Sequence, residues 1–155
     1  MLFTCTKENL SHSLSAISGV VGRGVNLPIL ANVAIHASES SVEFLVTDLE
    51  VALRVFVRAK VDKVGSFTVP AKTLVDIVNV LSDNSVTLEL KNNDLIVSAG
   101  STSTKIKGAP IDDFPVIPDI DEEHHYLIDA KTLQESLGSV LVAVARNEIR
   151  PELSG

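Results

Sequence analysis

Leu10, Leu14, Ile17 and Val21 return 123 positions later as Leu133, Leu137, Val140 and Val144. The same offset carries Phe3 to Tyr126, Ser13 to Ser136, Arg23 to Arg146, Pro28 to Pro151 and Leu30 to Leu153, without a gap. Two amphipathic helices of one length share apolar positions by chance, so the helical residues alone leave coincidence open. The arginine, proline and leucine that follow do not come from amphipathicity. Together they indicate a tandem duplication of a unit of about 120 residues, long enough to bury its own core. In 155 residues such a chain holds one copy and the opening of another, so it reads as a fragment with a complete first domain at 1–120 and a truncated second at 121–155. The stretch "GAPIDDFPVIPDIDEEHH" (108–125) holds three of the six prolines and an acidic run, a composition suited to an extended connection.

Within the first unit two periods compete. Val42, Phe44 and Val46 alternate with polar partners, as do Leu53, Val55 and Val57 against Arg54 and Arg58, and Val86, Leu88 and Leu90 against Thr87, Glu89 and Lys91. These are half-buried antiparallel strands, joined by turn-rich "ASESS" (37–41) and "KNND" (91–94). Further strands are expected near 2–6, 28–37, 64–69, 94–99 and 102–108. The helical period takes over at about 8–21, entered by Thr6 and ended by Gly19 and Gly22, and at 71–81, entered by Pro70. A third helix, capped by Asp129, runs through "DAKTLQESLGSVLVAVA". Two helices among some eight antiparallel strands predict an α+β fold.

Composition removes several classes. Cys5 is the one cysteine, which excludes a disulfide framework and fits a reducing compartment. No run approaches the roughly 18 apolar residues of a membrane span, and the N-terminus lacks a signal-peptide pattern, so a soluble cytoplasmic protein without membrane contact is expected. No phosphate-cradling glycine loop, zinc-protease helix or nucleophile elbow occurs, so no catalytic residue, cofactor or metal is assigned. Adjacent histidines in "DEEHH" (121–125) point to opposite sides of an extended chain and suit a solvated linker better than chelation. Asp48 and Glu50 read as a turn device. The net charge of −7 opposes a simple basic-patch binder, although charge can be segregated onto one face.

Four motifs, "LPILANV" (27–33), "TDLEVAL" (47–53), "TVPAKTLVDIV" (68–78) and "DDFPVIP" (112–118), resemble in order and spacing the N-terminal domain of the bacterial sliding-clamp family, the β subunits of the replicative DNA polymerase III. The resemblance implies a DNA-clamp fold: two helices on the DNA-facing side and two antiparallel sheets outside. It implies three such domains per subunit and a ring homodimer around duplex DNA, without an active site of its own. The ring would tether the polymerase and receive polymerase and clamp-loader subunits through linear peptides.

Carried onto this chain, the resemblance makes Arg23, on the glycine-bracketed "VGRGV", a phosphate contact without base readout. Arg146, Asn147 and Arg150 become the corresponding contacts of the second domain. Thr104 and Ile106, in the lysine-flanked strand 101–108, fall on the dimer seam, with Ile106 as its hydrophobe. Leu153 falls at the edge of the partner-peptide cleft. Plain readings compete: a solvated loop cation for Arg23, an ordinary edge strand for 101–108, and core filling for Leu153. Arg54 and Arg58 read as outward strand residues paired to Glu43 or Glu50. A duplicated intracellular interaction module, or a small enzyme whose site lies elsewhere, is the alternative to a clamp. A clamp requires Lys7, Arg23 and the polar helix faces on one side with carboxylates elsewhere; the alternative predicts no such segregation.

Overall fold

A computed structural model of the chain describes residues 1–21, 27–118 and 125–144. The chain divides into two units, Met1–Ile117 and Pro118–Gly155.

The first unit holds nine strands in two antiparallel sheets. These are β1 (Leu2–Thr6), β2 (Asn32–Ala37), β3 (Val42–Thr47), β4 (Ala52–Val57), β5 (Ala59–Lys63), β6 (Gly65–Pro70), β7 (Ser85–Lys91), β8 (Asp94–Ala99) and β9 (Thr102–Lys107). One sheet has the order β5-β1-β7-β8-β9 and the other β4-β3-β2-β6. The register puts alternating apolar residues on a shared inner face: Phe3 opposes Leu88, Ile35 opposes both Phe44 and Phe67, and Phe44 opposes Val55. The inner faces of both sheets join one buried core.

Helices α1 (Lys7–Ile17) and α2 (Ala71–Val80) pack against each other and against strands of both sheets. In α1 the buried set Leu10, Ser13, Leu14, Ile17 follows the three-to-four spacing of one helical face. Thr6 caps it by accepting the Asn9 N–H at 3.3 Å. The helix ends four residues before its expected limit at 21. The Ile17 carbonyl accepts from both Val20 and Val21 at 3.0 and 3.2 Å, and this tight turn closes the helix. Val21 still packs on the core. In α2, Ala71, Leu74 and Val78 are the buried stripe.

The structure differs from expectation at two points. The strand drawn at 28–37 begins only at Asn32, because Pro28, which has no N–H to give a ladder, opens a 3-10 turn over Pro28–Ala31. The strand drawn through 51–58 is there as one strand, and what was not expected is a further strand directly after it, in the other sheet. β4 ends at Val57, Arg58 alone connects, and β5 pairs with β1 in the other sheet. "AKVDK" is short but alternates: Ala59 and Val61 pack on the core while Lys60 and Asp62 face outward, and β1 supplies its ladder partner. Where turn chemistry was explicit the expectation holds: Asn92 and Asn93 take left-handed φ of 49° and 63° between β7 and β8.

After β9 the chain crosses to the second sheet. The Ala109 and Thr68 amides each donate to the other's carbonyl at 2.9 and 3.0 Å, and the buried Thr68 hydroxyl donates to the Ala109 carbonyl at 2.9 Å. Phe114 then settles on Ala34 and Leu45, covering the outer face of the four-stranded sheet with help from Ile29, Ile111 and Ile117.

In the second unit, α3 (Ala130–Val140) is followed by a 3-10 turn, Leu141–Ala143. The Asp129 carboxylate accepts the Thr132 N–H at 2.9 Å and the Thr132 hydroxyl at 3.0 Å. These bonds hold its pKa below the ordinary carboxylate value. Residues 125–129, the counterpart of β1 in the 123-residue repeat, form no strand. The apolar stripe of α3 is open: Leu133, Leu137 and Val140 are 43%, 49% and 58% exposed, whereas Leu10, Leu14 and Ile17 of α1 are at 0%, 1% and 0%.

Candidate nucleic-acid interface

With their apolar stripes buried, α1 and α2 leave polar faces outward. On α1 the exposed residues are Glu8, Asn9, His12, Ser15, Ala16 and Ser18; on α2 they are Lys72, Thr73, Asp76, Asn79 and Val80. Hydroxyls, amides and an imidazole dominate, a surface able to meet phosphates and water through neutral hydrogen bonds. The formal charges of the two helices balance, Lys7 and Lys72 against Glu8 and Asp76. The segregation of cations required of a clamp is therefore not produced by the helices.

Lys7 is committed to the fold. Its ammonium donates to the Leu81 carbonyl and, at 3.3 Å, to the Asn79 carbonyl. Its backbone N–H donates to the Asn84 carbonyl at 2.8 Å. The carbonyls at the end of α2 have no following turn to pair them, and the helix has no basic residue in its last turn. Lys7 supplies from α1 both the missing donor and a positive charge at the negative end of the α2 dipole. What is expected of Lys7 in a clamp is only that it share a side with Arg23 and the polar helix faces; its ammonium is tied to the end of α2.

The other sequence-derived positions divide into those described and those not. Arg23, Arg146, Asn147, Arg150 and Leu153 lie outside the described residues. Thr104 and Ile106 lie on β9, an edge strand that pairs only with β8 within its sheet. Ile106 opposes Leu95 and is buried in the unit's own core. The strand's period turns Ile106 inward and Ser103, Lys105 and Lys107 outward. What β9 presents to a neighbour is backbone and these polar residues, with Lys105 held at 3.3 Å from Asp94.

The acidic turn is structural, as read. Asp48 accepts the Glu50 and Val51 N–H groups at 3.0 and 2.7 Å, and the Thr47 hydroxyl donates to the Val51 carbonyl at 2.9 Å. Of the two strand arginines, Arg54 pairs with Glu43 at 2.7 Å. Arg58 has no ion pair or hydrogen bond among the described residues. It stands in a cleft with Phe56 of β4 and with Glu8, Asn9, His12 and Ser13 of α1. The sequence reading missed this position because it continued β4 through residue 58. Among the described residues no cluster of three or more metal-ligating side chains occurs. The one cysteine is buried, and desolvation raises its pKa to about 11, a poor setting for a thiolate. No described helix is long and apolar enough to cross a membrane.

Two antiparallel sheets backing a paired-helix face with a neutral, hydrogen-bonding exterior define a DNA-clamp domain. Comparison with known proteins agrees. Residues 1–118 match the family model described as the DNA polymerase III beta subunit, N-terminal domain. The chain is 33% identical over 158 residues to the beta sliding clamp of Synechococcus elongatus, covering all of this chain and 42% of that protein. The crystal structure of the DNA polymerase III subunit beta from Pseudomonas aeruginosa superposes with a TM-score of 0.91 at 29% identity, over 100% of this chain and 43% of that one. Pol III beta of Caulobacter crescentus gives 0.92 at 29% identity, over 100% and 42%. The chain belongs to the family of DNA polymerase III β subunits, the bacterial β sliding clamps. It spans less than half the length of these relatives.

Proposed function

We propose that this chain forms the first domain, about residues 1–120, and the opening of the second domain of a non-catalytic sliding clamp that encircles duplex DNA and tethers the replicative polymerase. One observation carries the proposal: a two-helix face backed by two antiparallel sheets, superposing on β clamps over the full chain at a TM-score of 0.92. A clamp must hold DNA and still slide, so its contacts should be few, ionic and indifferent to base sequence. The uncharged groups along α1 and α2 suit sliding. The grip is then left to Arg23 in the first domain, and to Arg146, Asn147 and Arg150 in the second.

In the same reading the ring closes as a homodimer through the edge of β9 around Thr104 and Ile106, by main-chain pairing to a neighbouring sheet. Leu153 belongs to the edge of a cleft that receives linear peptides of polymerase and loader subunits. The site of action is the cytoplasm.

The test is retention on DNA of the full-length subunit after loading onto nicked circular plasmid, followed by gel filtration at raised salt before and after the plasmid is linearised. Retention on circles and loss from linear ends is the expected result. Equal loss from both refutes topological attachment, and with it the clamp.

A further inference from the structure

We propose a second phosphodiester contact of the first domain, centred on Arg58 and built beside the N-terminal half of α1. This rests on the clamp reading, which lays the polar face of α1 against duplex DNA. Three observations carry it. Arg58 is exposed and makes no ion pair or hydrogen bond among the described residues, whereas Arg54, four positions earlier, is bound to Glu43 at 2.7 Å. Its backbone is held by a strand on either side, because residue 58 is the one residue between β4 in one sheet and β5 in the other. It shares a cleft with Glu8, Asn9, His12 and Ser13, and therefore lies on the flank of the helix face itself.

The chemistry selects an anion with hydrogen-bond acceptors. The fork of Arg58 can take two phosphate oxygens, while the Asn9 amide and the His12 imidazole on the facing wall can donate to others. A second cleft, on the other side of Arg58, brings in Lys60 and Asn84. There Lys60 is bridged to Asp62 at 3.2 Å, and Asp83 accepts the Ser85 N–H at 2.9 Å, which leaves Arg58 as the uncommitted charge at the corner. Glu8 opposes it from α1, so this contact is weaker than an isolated arginine would give. A duplex backbone fits better than an acidic peptide, because the cleft continues directly into a face of hydroxyls and amides that offers a peptide no apolar anchor beyond Phe56. Arg58 stands beside the N-terminal half of α1.

The test is the salt dependence of binding of the full-length subunit to a short fluorescent DNA duplex, together with retention on circular plasmid. One phosphate contact contributes about 0.9 to the slope of log affinity against log salt, so between 50 and 200 mM salt Arg58→Ala should lose about 3- to 4-fold less affinity than wild type. Glu8→Gln should bind more tightly, and Arg54→Ala should keep the wild-type slope. Melting temperatures verify that each variant is folded. An unchanged slope in Arg58→Ala, with wild type still held on circles, overturns the Arg58 contact alone. Failure of wild type to be retained on circles overturns the clamp reading and this contact with it.

Discussion

Replacing Lys7 by Met removes an ammonium and keeps an unbranched stem, which isolates the tie between α1 and α2. The loss can be worked from its two acceptors. A hydrogen bond to a charged group contributes about 1.5–3 kcal/mol, and a charge at a helix terminus a further 0.3–1 kcal/mol. Both must be discounted here. Lys7 is half-buried, water can replace part of what is lost, and the Asn79 bond at 3.3 Å is long. The Leu81 carbonyl is the acceptor that matters most, because the remaining cap bond of α2, from the Leu81 N–H to Val78, is stretched to 3.4 Å. A net cost of about 1–2 kcal/mol follows, or a fall of about 3–6 °C in melting temperature for a unit of this size. The assay is thermal unfolding by circular dichroism alongside the salt dependence of DNA binding. The expected pattern is a lowered melting temperature with an unchanged salt slope, and partial recovery in Lys7→Arg, which restores a donor. A melting temperature within about 1 °C of wild type, together with a slope reduced by about 0.9, would show that Lys7 meets phosphate and refute the tie.

Three further outcomes are expected. Leu14→Ala should cost about 3 kcal/mol by opening a cavity in the core, whereas its repeat counterpart Leu137→Ala should change the stability of this 155-residue chain by less than about 0.5 kcal/mol, since Leu137 is 49% exposed; urea titrations of the two variants compare them. Gly108→Ala should be severely destabilising, by about 2 kcal/mol or more, because the added carbon would occupy space already filled by the Thr68 carbonyl oxygen and the Phe67 ring; failure to lower the urea midpoint would contradict that packing. The Cys5 thiol should react slowly with an aromatic disulfide reagent at pH 8 and rapidly once urea unfolds the chain. Because its pKa is raised to about 11 when folded, the unfolded state loses this proton first; stability from the neutral buried thiol is complete below about pH 8.5 and is lost as pH rises from there toward 11, visible as a falling urea midpoint.

The sequence by itself determined the elements whose reasons are local. Alternation identified β3, β4 and β7, helical spacing identified the stripes of α1 and α2, Thr6 and Asp129 were legible as caps, and Asn92–Asn93 as a hairpin turn. Each depends on residues a few positions apart, where side-chain period and turn chemistry act directly on the backbone. The 123-residue repeat was legible for the same reason, since it compares one local pattern with another. Tertiary structure decided whatever depends on residues distant along the chain. β5 joins the sheet of β1 rather than that of β4, Ile106 packs against Leu95 in the unit's core, and Lys7 is tied to α2 because the carbonyls at the end of that helix lie within its reach. Arg54 and Arg58 look alike in sequence, two outward cations four residues apart, yet one faces Glu43 across a ladder and the other stands alone beside α1. A charge's partner is set by which strands meet in space, and no period along the chain records that.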